Sequence, residues 1–356
     1  GGKMKKISGL VFLIGLFLTS ALVGAENVKL VKKTEIGSET QKELVFISPV
    51  QVKSDERGNI FILDARAPAL KKFSPSLEFV NQIGSKGQGP GEMNAPDYID
   101  LDRSGNVWLY DGGNLKLSVY DNDLKFLKAV NLEKTEVYSN FFITREGNLI
   151  LAKTAKVSDE NIFYEFSPEG KLIRSFFNFF HPFAPRLKSP SEIVNFSRYI
   201  SYFMNRTAIN GDRNLIAFSF LTPENPYKVH LINMDGKIVR TCSNRIKNYD
   251  PGAFLEYLKT RKKPTDLFSL YVGINRILFT SRDLILVQIR IEKYDKGALV
   301  STEFYSDIFS PAGKLLAEHL VSERLVGIDK DDNVYGIKEE ESGAVKIVVY
   351  SLQVEK

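Results

Sequence analysis

Polar turn residues followed by short, alternating apolar runs recur along the chain. The first form is a turn feeding a strand: ERGNIFILD (56–64), RSGNVWLYD (103–111), REGNLILAK (145–153), GDRNLIAFS (211–219), SRDLILVQI (281–289) and DDNVYGIKE (331–339). Charged and Gly/Asn turn residues, then β-branched and aromatic side chains, read as a tight reversal into a strand. A second form lies downstream of the first five: KKFSPSLEFV (71–80), VYDNDLKFLKAV (119–130), EFSPEGKLIRSF (165–176), INMDGKIVRT (232–241) and FSPAGKLLAEHL (309–320). There an apolar strand ends, a Pro, Asp or Gly turn reverses it, and another strand leaves. Together the two forms make three consecutive antiparallel strands, and the apolar stretch before each first turn makes a fourth.

With Asn59, Asn106, Asn148, Asn214, Asp283 and Asn333 as phase markers, successive steps are 47, 42, 66, 69 and 50 residues. A four-stranded propeller blade takes about 40–50 residues, so the two long steps hold insertions. Six phases predict an all-β fold, a six-bladed β-propeller with four-stranded antiparallel blades. The last phase stops at VKIVVYSLQ (345–353) without an outer strand, and NVKLVKKTEIG (27–37) precedes the first blade with no other role. The N-terminal strand is therefore expected to complete the last blade, closing the ring and removing its exposed edge. A pair of β-sandwiches and a solenoid compete with this reading. A solenoid needs polar caps, and neither end of the chain reads as one.

Residues 26–356 are thus expected to form a single propeller domain with two small, partly helical inserts at about 177–206 and 244–268. The first insert is dense in aromatics. Within it Ser189-Pro190-Ser191-Glu192 has Ser at the N-cap, Pro at the first helical position and Glu two further on, a capping box. Ile193, Phe196, Tyr199, Ile200 and Phe203 then share one helix face, which either packs on the propeller or forms a lid for a partner. In the second insert Asp250-Pro251 opens a short helix, and Arg261-Lys262-Lys263 reads as its solvated end.

Composition changes the picture at the N-terminus. Lys3, Lys5 and Lys6 precede the uncharged stretch ISGLVFLIGLFLTSALVG (7–24), and Val23-Gly24-Ala25 fits a small-x-small cleavage site. Residues 1–25 read as a secretory signal peptide with a mature start near Glu26. The three residues before Met4 stand outside the fold reasoning. An uncleaved membrane anchor is the rival, because the run approaches the ~18 residues that span a bilayer. The whole chain carries 48 basic and 43 acidic residues, net +5. Three of those lysines lie in the leader, which has no acid, so the remainder stands at 45 against 43. That balance excludes nucleic acid, whose phosphates call for clustered, uncompensated Lys and Arg. No stable membrane insertion is expected once the leader is removed. The 12% aromatic content excludes disorder, and a single cysteine, Cys242, excludes a disulfide scaffold. The expected location is exported, periplasmic or extracellular, with N-terminal membrane anchoring as the alternative.

The most distinctive string is Ile83-Gly84-Ser85-Lys86-Gly87-Gln88-Gly89-Pro90-Gly91-Glu92, between the first two blades. It is no dinucleotide fingerprint, because Asn94-Ala95-Pro96 leads into a strand rather than a helix. Its glycines either supply positive φ for a crossing between blades or build a rim loop whose amides, Lys86 and Glu92 meet a ligand. Over residues 83–121 the chain, IGSKGQGPGEMNAPDYIDLDRSGNVWLYDGGNLKLSVYD, resembles the NHL-type repeat of secreted bacterial six-bladed propellers that have a G-x-G-x-GPGE string. Asp111 and Asn114 stand at NHL strand-turn positions. The resemblance is looser over 45–82, and elsewhere only the period remains. It implies a six-bladed ring with a binding face of inter-blade loops. It also implies relatives that serve as protein, peptide or RNA platforms, a few of similar build being metal-using lyases or lactonases.

Three histidines, His181, His230 and His319, show no zinc-ligand spacing. Asp64, Asp111 and Glu92 with backbone carbonyls could hold calcium, although an Asp ending a strand commonly caps its own turn. No G-x-S-x-G elbow occurs, and Cys242 has no visible catalytic partner. No catalytic or metal residue is assigned and no cofactor is called for, calcium being the one ion considered. The resulting expectation is a binding module for a protein, peptide or glycan, with loop-face contacts at Asp64, Arg66, Lys86, Gln88, Glu92, Asp111 and Asn114. It requires residues 64–68 and 84–92 to emerge on one face. A metal-dependent lyase or hydrolase with its ion near the central channel is the alternative. An envelope assembly factor using the Phe-rich insert is the third reading.

Overall fold

In the computed structural model the described residues are 27–153, 160–180, 184–190, 192, 206–210, 214–220, 227–246, 269–295 and 298–355. The expected leader, its cleavage site, the helix face at 193–203, His181, Asp250-Pro251 and Arg261-Lys262-Lys263 lie outside them.

The chain enters the sheet system at β1 (Asn27–Ile36). It then forms blade one from β2 (Pro49–Ser54), β3 (Ile60–Asp64), β4 (Ala69–Phe73) and β5 (Phe79–Ile83). Blade two follows as β6 (Pro96–Leu101), β7 (Val107–Asp111), β8 (Lys116–Tyr120) and β9 (Phe126–Val130). Blade three is β10 (Asn140–Ile143), β11 (Leu149–Ala152), β12 (Glu160–Phe166) and β13 (Leu172–Phe179). Blade four is β14 (Thr207–Asn210), β15 (Leu215–Phe220), β16 (Tyr227–Asn233) and β17 (Ile238–Asn244). Blade five is β18 (Ser269–Phe279), β19 (Ile285–Asp295), β20 (Ala298–Phe309) and β21 (Leu315–Val321). Blade six is β22 (Arg324–Ile328), β23 (Asn333–Glu339), β24 (Val345–Glu355) and, returning from the other end of the chain, β1.

The ring closes as the sequence pattern requires. β1 pairs antiparallel with β24 from Asn27 opposite Glu355 to Ile36 opposite Ile347, and Lys29 pairs with Glu355 beyond the buried residues. Behind β1 the chain is fastened to blade one. Lys71 Nζ donates to the carbonyls of Glu43 (2.7 Å) and Val45 (2.8 Å) and sits 5.0 Å from the centre of the Phe46 ring. Burial lowers the Lys71 pKa, partly offset by the charges of Asp64 and Glu43. On the inner side, β2 meets β22 through the parallel pair Val52–Gly327. A Cβ at Gly327 would run into the Val52 carbonyl, so only glycine lets the last and first blades touch there.

Burial follows the position of each strand in its blade. The second strands β3 and β7 are buried at every position, whereas the outer strands β5 and β9 are largely exposed. The second strands lie between neighbouring blades and read as continuous apolar runs for that reason. The first turn is set by a side chain as well as by the backbone. In blade one Asp55 accepts from Asn59 N (2.8 Å) and Asn59 Nδ2 (2.7 Å), with Gly58 at φ 85°. Asp102 with Asn106 and Asp329 with Asn333 repeat the arrangement. In blade five Asp283 (φ 61°) takes the left-handed position that Gly58 holds, one residue ahead of the place marked by Asn59.

Two findings adjust the insert boundaries. β13 carries on through Phe179, so Phe177 and Phe179 belong to the blade three–four interface, where they pack with Phe163, Phe176, Phe218 and Phe220. The capping box at the start of the first insert is formed: Ser189 N donates to Glu192 Oε2 (3.2 Å) and Glu192 N to Ser189 Oγ (3.2 Å). The second insert falls between β17 and β18.

Candidate functional site: the loop face and the central channel

β3 and β5 run in the same direction within blade one, so residues 64–68 and 84–92 leave the sheet at the same end. That end carries the loops between blades, and the opposite end carries the first turns of each blade. Of the expected contact residues, Asp64 and Asp111 are buried and hold the loops of their own blades. Asp64 accepts from Ile47 N (2.7 Å) and Ser48 N (2.8 Å). Asp111 accepts from Asn94 N (2.7 Å), Ala95 N (2.9 Å), Gly113 N and Asn114 N (both 3.1 Å) and Asn114 Nδ2 (2.9 Å). The same device appears twice: an Asp ending the second strand gathers the amides of the loop that leads into the first. Both carboxylates are closed off from solvent and spent on backbone amides, so the structure gives them a structural part in holding the loops.

Glu92 folds back on its own loop, accepting from Gly89 N (2.8 Å). Asn114 donates to the Gly87 carbonyl (3.0 Å), and Lys116 donates to the carbonyls of Gln88 and Gly89 (both 3.0 Å). The glycine-rich string is thus held down by blade two. Arg66, Lys86 and Gln88 are exposed on the face. Beneath this loop Asp97 has its pKa raised to about 6 by burial, against the Gly112 amide it accepts from and helped by the charge of Asp111.

The channel is lined by the first strands, which hold one another through side chains. Gln51 Oε1 accepts from Ile99 N (2.7 Å) and Asp100 Oδ2 from Ile143 N (2.8 Å), and from the second strand of blade five Gln288 Oε1 accepts from Leu325 N (2.8 Å). Asn140 Nδ2 donates to the Thr207 carbonyl (2.8 Å). Towards the loop face, Arg276 enters the channel from β18 and donates to the Val50 carbonyl at 2.7 Å. Arg324 donates to the Pro49 carbonyl at 3.4 Å. Burial lowers the Arg276 pKa to about 10, and Arg206 and Arg324 lower it further while Tyr98 opposes them. Arg324 is lowered by burial, with Glu339 opposing and Arg290 adding to the effect.

Two connected spaces lie below. A cavity of about 140 Å³ is walled by residues that include Gln51, Lys53, Thr207 and Arg276. It shares Lys53, Ile209, Phe279 and Ile328 with a funnel of about 760 Å³ that opens among the first turns. The larger described space therefore lies at the end opposite the expected loop contacts. Sequence reasoning missed Arg276 and Arg324. The signal was there, since a charged residue interrupts an apolar first strand in GINRILF (273–279) and opens one in RLVGI (324–328).

Among the described residues no three of His, Cys, Asp and Glu come together as metal ligands. His230 Nδ1 lies 2.7 Å from Thr241 Oγ1 in blade four, where burial and then the charge of Lys228 lower its pKa to about 4. His319 packs on Tyr305 at 4.7 Å in blade five. Burial pushes the Cys242 thiol up to about 11, opposed by Arg240, so at neutral pH it is not a thiolate nucleophile.

A closed ring of six four-stranded blades, with an NHL-type turn unit at 83–121, places the chain among six-bladed β-propellers with NHL-like relatives. Residues 34–207 match the DUF5128 family model, described as a 6-bladed beta-propeller. An 83-residue stretch is 32% identical to the human NHL repeat-containing protein 3 and 34% identical to its mouse counterpart. The stretch covers 22% of this chain and 24% of each relative, so the match spans about a quarter of their length. Among solved structures, a putative exported protein of Bacteroides fragilis aligns with TM-score 0.59 at 15% identity, over 92% of this chain and 95% of that one. A member of the DUF4221 family from Bacteroides vulgatus aligns with TM-score 0.62 at 8% identity, over 93% and 100%. These two likenesses show the fold alone.

Proposed function

We propose that the protein is an exported binding module that takes a protein, peptide or glycan ligand across its loop face. The observation that carries this reading is the exposure of large apolar side chains at three inter-blade connections of that face, two in loops and Val321 at the end of β21. Ile47 is 53% exposed, Val137 75% and Val321 84%. Apolar side chains left in water on one rim mark a contact surface better than scattered ones do, and exposed Arg66 and Lys86 add positive charge beside them. Engagement across such a surface would place apolar anchors at its centre and polar groups at its rim. Export rests on the leader-like N-terminal segment alone. Among the described residues no helix is long and apolar enough to cross a membrane.

The test uses immobilised protein probed with peptide, glycan and envelope-protein arrays, beside the triple variant Ile47→Asp/Val137→Asp/Val321→Asp. Ligands retained by the wild type and lost by an equally stable triple variant support the reading. Undiminished retention by the variant refutes a loop-face site. Cell fractionation with N-terminal sequencing tests export, and a cytoplasmic, uncleaved protein would overturn that part.

A further inference from the structure

We infer that the inner channel cavity is a binding site for an oxyanion, the carboxylate or phosphate group of a small ligand that enters through the funnel between the first turns. This site stands apart from the loop-face reading, in different residues and at the other end of the channel.

Arg276 carries the inference. Its guanidinium has five N–H donors, and one hydrogen bond is formed, to the Val50 carbonyl. Its Nε is shut off from solvent with no hydrogen-bond partner, and no ion pair reaches it among the described residues. The charged groups that act on it, Arg206 and Arg324, are also positive. Arg276 is half-buried with its Nε closed off, so its remaining donors face the channel unpaired among the described residues, a placement that suits an anion reaching them from the cavity. A tie from blade five to blade one through Val50 explains one donor and leaves the rest without a role.

Gln51 is a second, independent pointer. Its oxygen is committed to Ile99 N, which fixes the orientation of the amide. Among the described residues the Nε2 donors then have no protein partner, and they belong to a side chain that walls the cavity. The charges in that wall are Lys53 and Arg276, and among the described residues no carboxylate lines it. Lys53 donates to Asp100 at 2.8 Å, so its charge is shared, whereas that of Arg276 is not. About 140 Å³ holds four to five waters at roughly 30 Å³ each. That is room for one carboxylate or phosphate group, with the rest of the ligand lying in the funnel. The funnel wall carries six carboxylates against four cations. Asp55, Asp102 and Asp329 are spent on turn amides, Asp100 on Lys53 and Ile143 N and Asp283 on Asn210, while Arg57 and Arg103 are exposed among the same turns. A planar guanidinium fork beside an amide donor matches the geometry of an oxyanion.

The experiment is calorimetric titration of the full chain with inorganic phosphate and, separately, succinate, each against sodium chloride at matched ionic strength. Thermal unfolding is recorded in parallel. Saturable binding of either anion beyond the chloride control supports the site, and the anion that binds identifies the source of the oxyanion. Two variants follow. Gln51→Glu keeps the acceptor for Ile99 and replaces the free donor with a like-charged oxygen; binding should weaken at least tenfold. Arg276→Gln should abolish it, and if that variant unfolds, Gln51→Glu alone decides. The loop-face triple variant should bind the anion as the wild type does, so failure of one reading leaves the other standing. Absence of saturable binding to both anions, or wild-type affinity in Gln51→Glu, overturns the proposal.

Discussion

Ile36→Ala, at the end of the strand that closes the ring, puts the architecture to a quantitative test. Ile36 is 5% exposed and packs with Phe46, Val52, Ile60 and Ile347 in the core shared by the last and first blades. The substitution removes three carbons. At ~0.8 kcal/mol per buried methylene the transfer loss is about 2.4 kcal/mol, and the cavity left behind brings Ile→Ala changes to roughly 2–5 kcal/mol. The matched control is Ile238→Ala on β17, an outer strand held by its own blade, where the side chain is 49% exposed; there the expected change is within about 0.5 kcal/mol. Both are read by urea unfolding, with the single Trp108 in blade two as a reporter remote from the closure. An Ile36→Ala variant as stable as Ile238→Ala would mean that β1 does not complete blade six, and the closed ring would have to be abandoned.

Four further outcomes are expected. His230 has a folded pKa below its ordinary value, so the unfolded chain takes up its proton first as pH falls. Its contribution is whole above about pH 6.5 and is lost towards pH 4, and His230→Gln should flatten that part of a stability–pH curve. Asp97 has the opposite sign. Its raised folded pKa favours the fold below the usual carboxylate range and costs stability as pH rises through about 6, so Asp97→Asn should raise the unfolding midpoint at pH 7 and not at pH 3.5. Cys242, buried and raised to about 11, should resist a thiol reagent in the native protein and react at once in urea. Gly327→Ala should destabilise the seam between blades six and one by roughly 1–3 kcal/mol in urea unfolding, the cost of forcing extra volume into a packed site, because its Cβ would meet the Val52 carbonyl.

The ring was legible because a propeller repeats one turn chemistry, and Asp55-to-Asn59 is the same device as Asp329-to-Asn333. Closure was legible because a missing strand at one end matched a spare strand at the other. The boundary of the first insert was not, because FNFF at 177–180 reads equally as lid or blade; only the fit of Phe177 and Phe179 against Phe218 settles it. Asp64 and Asp111 show the same limit. An Asp after a strand offers its oxygens either to a ligand or to backbone amides, and the path of the preceding loop decides between them. The channel was out of reach for a different reason. Arg276 and Gln51 are 225 residues apart, and their meeting is a property of the closed ring rather than of any local string.

The most direct test is a crystal soaked with selenate, a heavy-atom stand-in for phosphate or carboxylate oxygens, and measured for anomalous scattering. The expected result is a selenium peak in the inner cavity, with oxygens within hydrogen-bonding distance of the Arg276 guanidinium and Gln51 Nε2. A cavity holding only water at saturating selenate, with the Arg276 donors satisfied by protein carboxylates, would contradict the assignment of the channel as an oxyanion site.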